Sequence, residues 1–363
     1  MPNVQPLAAP PLPTLLVIPT GVGCELGGYA GDALPAARLL AAASDCLITH
    51  PNVMNAASLY WSDRRIHYVE GWSLNRFAAC ELSLAPVRSQ RVGVLLDAGL
   101  EPELRLRHLQ VADACRASLG LTIGPVLDSE APLGVSLRLA ASGSSWGSIQ
   151  RPDVLLRAGE RLRDAGATAI AVVARFPDDP GSEALAAYRA GAGVDTLAGA
   201  EAVISHLLVR HLGMPCAHAP ALAPLPPEAG LDPRAAAEEL GHTFLACVLV
   251  GLSRAPDLLP DPPAGAHCLH GEDIGAVVAP WGALGGEAVL ACAQRGVPLI
   301  AVRSNHCLLQ VDGASLGLEV LPASGYAEAA GLLLALREGL DPLSLRRPLA
   351  GLASSAGMDA GRG

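Results

Sequence analysis

Residues Leu15 to Trp61 read LLVIPTGVGCELGGYAGDALPAARLLAAASDCLITHPNVMNAASLYW. An apolar run enters a glycine-studded loop, the loop leads into an alanine- and leucine-rich helix, and the helix into a second apolar run ending Thr49-His50-Pro51-Asn52. Strand, loop, helix and strand in that order are the repeating unit of a parallel sheet covered by helices. Short apolar runs without polar alternation fit strands buried on both faces.

The last third repeats the plan. Asp273 to Gln310, DIGAVVAPWGALGGEAVLACAQRGVPLIAVRSNHCLLQ, passes from an apolar run through Pro280-Trp281-Gly282 and Gly285-Gly286 into a helix, then through another apolar run to Ser304-Asn305-His306. Between the two units further apolar runs end in acids, at Asp97 and Asp128, and Thr168 to Arg175 (TAIAVVAR) is the most strand-like segment of the chain. The fold class expected is α/β, with mainly parallel sheet covered by helices and two pseudo-symmetric lobes. The divisions expected are a leader at 1–13, an N-terminal lobe at 14–150, a C-terminal lobe at 151–340 and a frayed tail at 341–363.

Composition narrows the function. Half of the 363 residues are apolar, 17% are charged and the net charge is −10, with no basic cluster. Nucleic acid is excluded as partner because phosphate neutralisation needs grouped cations. No apolar run reaches the length of a membrane span, and the proline-rich leader has no basic start, so no membrane partner is expected. Nine cysteines without small-domain disulfide spacing fit free thiols in a cytoplasmic protein. All 25 basic residues are arginine. Schiff-base chemistry, lysine-bound pyridoxal phosphate and the Walker lysine are therefore ruled out.

In parallel sheets ligands bind beyond the carboxyl ends of the strands. That rule gathers the candidate site. His50 and Asp97 are expected as bases and His306 as acid; Thr20, Gly21, Gly23, Asn52, Gly285, Gly286 and Asn305 are expected to hold the substrate, with Arg303 as the anion partner because its planar fork matches carboxylate or phosphate. The glycine loop fails the dinucleotide fingerprint, since the helix is expected to open near Asp32 and the second strand ends in Thr49-His50 instead of an acid. Metal-ligand types are densest at Cys216 to His218 and at His267 to His270, but neither has zinc-site spacing, and no metal is assigned. No motif names a cofactor. Cys24 and Cys307 stand at equivalent ends of the two units, and in plan they resemble the aspartate and glutamate racemase superfamily, which exchanges a proton between two cysteines. The flanking CNT-type context of that superfamily is missing here.

The strings IPTGVGCELGGYAGDALP, ITHPNVMNAASLYW, PCAHAPA and APWGALGGEAV together resemble a bacterial family catalogued only as a domain of unknown function, from about Leu15 to Leu336. The resemblance implies one coherent protein and carries no activity. The function expected is a cytoplasmic enzyme acting on a small carboxylate- or phosphate-bearing metabolite between two glycine-rich loops, by acid/base proton transfer or hydrolysis. The competing readings are a two-thiol racemase or isomerase and a non-catalytic ligand-binding or assembly protein. A homo-oligomer is compatible with either.

Overall fold

A computed structural model describes residues 9–56, 62–179, 181–239, 244–349 and 351. Trp61 and most of the expected leader and tail lie outside the described residues. The larger sheet contains β1 (Thr14–Leu16), β2 (Leu47–Thr49), β3 (Ile66–Tyr68), β12 (Ala276–Pro280), β13 (Leu299–Val302) and β14 (Leu321–Ala323), in the order β14-β13-β12-β1-β2-β3. All its pairings are parallel. The second sheet, also parallel, contains β5 (Val92–Leu96), β6 (Ile123–Asp128), β9 (Ala169–Arg175) and β10 (Cys216–Ala221), in the order β10-β9-β5-β6. Two antiparallel pairs complete the strands: β4 (Ser83–Ala85) with β11 (Asp257–Leu259), and β7 (Val135–Leu139) with β8 (Ser145–Ile149).

The α/β class with parallel sheets is as expected; the arrangement of the units is not. The two glycine-loop units stand side by side in one sheet, where β1 pairs with β12 at Leu15↔Val277, instead of forming a lobe each. The middle of the chain builds the second sheet. The sheets thus partition the chain differently from a cut at 150/151, and the physical reason is that two central strands with fully buried side chains need a neighbour on each side. Read outward from the β1/β12 junction, the larger sheet has the 3-2-1-4-5-6 order of doubly wound sheets.

Helices cover both faces. Among the described residues, α1 (Leu34–Ser44) packs with α12 (Tyr326–Arg337) on one face of the larger sheet, and α3 (Gly71–Ala78) with α10 (Glu287–Gln294) on the other. The second sheet lies between α4 (Pro102–Leu119) with α9 (Leu245–Leu252) and α5 (Pro152–Asp164) with α7 (Ala198–Leu212). Four short helices, α2 (Pro51–Met54), α6 (Glu183–Arg189), α8 (Pro233–Glu239) and α11 (Gly313–Leu316), sit in connections. The helix after the first glycine loop begins at Leu34, not at Asp32: the Asp32 carboxylate turns back to accept the Gly27 N–H at 2.6 Å and so does not cap it. Gly27 has φ +89°, and a Cβ there would strike Ile18, so this turn requires glycine.

Candidate functional site

The strand ends at the β1/β12 junction are where a doubly wound sheet opens its crevice. Here that crevice is filled by the chain itself. Leu308 N–H bonds to the Val22 carbonyl at 3.0 Å and Glu25 N–H to the His306 carbonyl at 2.9 Å, while Val311 bridges back to Gly282 and Leu284. A Cβ at Gly21 would press against Ser145 and Ala198, and one at Gly23 against the Gly193 carbonyl. Gly285 and Gly286 are exposed, and Gly286 precedes α10.

Several residues selected on the sequence prove to be clasps. Asp97, 1% exposed, accepts the N–H groups of Gly99, Leu133 and Arg175 at 2.9 to 3.0 Å, which ties the ends of β5 and β9 to the 133 loop. Asn305, 2% exposed, pairs with both the N–H and the carbonyl of Leu26 and donates to the Tyr326 hydroxyl. His50 Nε2 accepts the Ile18 N–H at 3.2 Å, and enclosure by protein pushes the ring down to about 4, so it is neutral with its proton on Nδ1. These groups spend their acceptors on backbone, and we assign them structural roles. His306 is exposed. Arg303 is exposed and its guanidinium stacks on Trp281 at 3.9 Å. Thr20 is half-buried at the end of the first apolar run.

A cavity of about 610 Å³ opens elsewhere, between the carboxyl ends of the two sheets. Its wall includes Asn52 and Asn55 after β2, Pro177 after β9, His218 on β10, Tyr188 on α6, Glu201 on α7 and Glu238 on α8. Of the substrate-binding residues expected from sequence, Asn52 lines it. Leu137, Leu185, Leu197, Leu222, Phe244 and Val248 form an apolar wall.

The polar end of this cavity is built around His218. Ser205 Oγ donates to the Glu201 carbonyl at 3.1 Å and lies 2.7 Å from His218 Nδ1. The hydroxyl thus holds the ring by Nδ1 and turns Nε2 toward the Glu201 carboxylate. Nε2 stands 3.5 Å from Glu201 Oε2, longer than a formed hydrogen bond and so open to a proton-bearing ligand. Glu201 and Ser205, four residues apart on α7, present both groups to the same strand.

Two more carboxyls complete the cluster. Glu238 accepts the Ala30 N–H at 2.6 Å and the Tyr188 hydroxyl at 2.7 Å; burial pushes it up to about 7. Asp195 is raised well above the usual carboxylate range by burial first and then by the charges of Glu201 and Glu238. Both line the cavity, so solvent reaches one side of each while protein encloses the rest. Tyr188 also stacks on Tyr29, ring centres 4.2 Å apart, which fastens the first glycine loop to this wall.

The chemistry-bearing groups that sequence reasoning left aside are therefore Glu201, Ser205, Tyr188, Asp195 and Glu238. The signal for two of them was the i, i+4 pair on a helix leading into the strand that carries His218. Among the described residues no three His, Cys, Asp or Glu side chains are grouped to hold a metal ion. His270 Nδ1 lies 2.9 Å from Ser83 Oγ, and His267 is exposed.

Cys24 and Cys307 meet. Cys24 Sγ donates to the Pro19 carbonyl at 3.6 Å and Cys307 Sγ to the Leu309 carbonyl at 3.5 Å, and the interaction between the neighbouring thiols holds Cys307 down at about 7 and drives Cys24 up.

No helix among the described residues is long and apolar enough to cross a membrane. No solved structure matches the chain. A protein named "uncharacterized lipoprotein" in Synechococcus sp. is 56% identical over 334 residues, 92% of this chain and 93% of that one. The model of the family described as a protein of unknown function (DUF3326) matches residues 13–346, and the chain belongs to that family.

Proposed function

We propose that the protein is an acid/base enzyme whose site is the cavity between the two sheets, and whose substrate is a small molecule with an apolar body and an amine or hydroxyl head. The observation that carries this reading is a histidine held by a serine hydroxyl and two carboxyls of raised affinity for protons lining one cavity of about 610 Å³. A group that titrates near the working pH is the one that can both take and give a proton. Glu238 meets that condition, and His218 Nε2 faces the same space as the natural base.

The lining charge argues against the anionic substrate expected from sequence. Asp178, Asp179, Asp195, Glu201, Glu238 and Glu239 line the cavity, against Arg138 and His218 as its basic side chains among the described residues. Arg175 pairs with Asp178 and Arg189 with Glu239, and burial favours the protonated forms of Asp195 and Glu238, so Glu201 is the carboxylate that would repel an added anion beside His218, whereas an ammonium or hydroxyl donates to it. The test is a native mass-spectrometric screen of a metabolite library. Amine- or hydroxyl-bearing compounds should bind, and Leu185→Trp, which fills the apolar wall, should abolish their binding. Capture of anions alone, insensitive to Leu185→Trp, would contradict the reading.

The name of the Synechococcus relative bears on location. Bacterial lipoproteins carry their lipid on a cysteine exposed as the new N-terminus when the signal segment is removed. The first cysteine here is Cys24, after the small residues Gly21-Val22-Gly23. Cutting before it would delete β1, the strand between β2 and β12, and Cys24 itself is 3% exposed within the core. We therefore read the chain as working without lipid on Cys24.

A further inference from the structure

We propose that Cys24 and Cys307 form a reversible disulfide centre at the β1/β12 junction, with Cys307 as attacking thiolate, Cys24 as resolving thiol, Asp32 as its proton acceptor, and a low-molecular-weight disulfide as oxidant. This inference is independent of the cavity and its chemistry.

The geometry comes from two chain segments laid side by side. The bonds Leu308 N–H to Val22 and Glu25 N–H to His306 bring residues 22–25 and 306–308 together, so that Cys24 and Cys307 face each other. Cys307 packs against the same hydrophobic cluster that contains Cys24. Exposure differs between the two, as a two-step exchange requires: Cys307 is half-buried, within reach of a small oxidant, and Cys24 is buried. Cys307 also has the lower proton affinity, held down first by its neighbour Cys24 and further by His306.

A second, separate observation concerns Asp32. Its Oδ1 accepts the Gly27 N–H, but its buried Oδ2 has no hydrogen-bond partner among the described residues. Buried polar atoms are rarely left so. Burial raises this carboxyl to about 6, and it lies near enough to Cys24 for its charge to raise the thiol. In the reduced fold the Cys24 thiol donates to the Pro19 carbonyl at 3.6 Å, so Asp32 takes its proton once the thiol has turned away from that carbonyl.

The exchange balances. The Cys307 thiolate attacks one sulfur of RSSR, a Cys307–SR bond forms, and RS⁻ leaves and is protonated by solvent. Cys24 gives its proton to Asp32 and attacks Cys307 Sγ, expelling the second RS⁻, which takes up that proton. Two protein thiols are oxidised to one disulfide and one RSSR is reduced to two RSH. The product fastens the glycine loop to the end of β13, and Ala30, in that loop, holds Glu238.

The test uses the full chain, oxidised glutathione and peptide mapping after acid quench and alkylation. Wild type should yield a Cys24–Cys307 disulfide that dithiothreitol reverses. Cys24→Ser should instead accumulate a glutathione adduct on Cys307, and Asp32→Asn should slow conversion of the adduct to the disulfide at least about tenfold, as loss of a general base does. Recovery of both cysteines fully alkylated from oxidant-treated wild type, or oxidation confined to Cys80 or Cys268, would overturn the proposal, and that arm needs no variant to fold.

Discussion

At the scale of the residue, a histidine after a strand and before a proline looked catalytic from sequence, and the structure gives His50 a backbone N–H instead. A sequence shows that a polar group stands at a strand end; it does not show which neighbour arrives to use the lone pair. His50→Leu should leave the Ile18 N–H unsatisfied and cost about 1–3 kcal/mol of stability, read from the denaturant midpoint, with ligand binding unchanged. The pH dependence has a definite sign. The unfolded ring binds its proton near 6.5 and the folded ring only near 4, so the stability that His50 contributes is present above 6.5 and is lost as pH falls toward 4. In His50→Leu that part of the acid slope should vanish. Glu238 acts in the opposite sense. Its folded carboxyl titrates near 7 against an ordinary 4.5, so the folded state holds the extra proton and stability falls as pH rises from about 4.5 to about 7. Glu238→Gln should flatten that fall in pH-resolved unfolding curves. An unchanged slope would mean that Glu238 is already ionised at low pH in the fold.

At the scale of the element, apolar runs and glycine loops made the strand-loop-helix units legible, because strands buried on both faces leave an unbroken apolar run. Which strands would be neighbours was not legible. The pairing of β1 with β12 joins residues 262 positions apart in the chain, and nothing local encodes it. Polar clasps do part of that joining. Asp97 holds three N–H groups from three chain segments, and Asp97→Asn would turn one acceptor oxygen into a donor facing an N–H. A loss of about 1–3 kcal/mol is expected, with faster hydrogen exchange at Leu133 and Arg175 as its local signature. Exchange rates unchanged at both amides would remove Asp97 from that role.

At the scale of the whole molecule, the site was partly visible in the sequence: Asn52 and His218 were singled out, the one as a substrate contact and the other as a metal suspect. Glu201 and Glu238 were not, since acids on helices read as solvated until two sheets enclose them, and neither was Asp195 in the loop before α7. The same scale bears on lipid at Cys24, because β1 is interior to the sheet. Intact mass of the natively produced protein should show residues before Cys24 retained and no acyl mass on Cys24; a chain beginning at an acylated Cys24 would contradict the fold described here. The central claim is that the cavity moves protons, with His218 as the base. Its most direct test is turnover of a cavity-bound compound by wild type and by His218→Gln, measured with the melting temperature on the same preparations. Loss of a general base predicts a kcat lower by about 10²–10⁴ with folding and ligand affinity nearly intact. Wild-type turnover by a folded His218→Gln protein, or tight binding by wild type with no turnover at all, would contradict it.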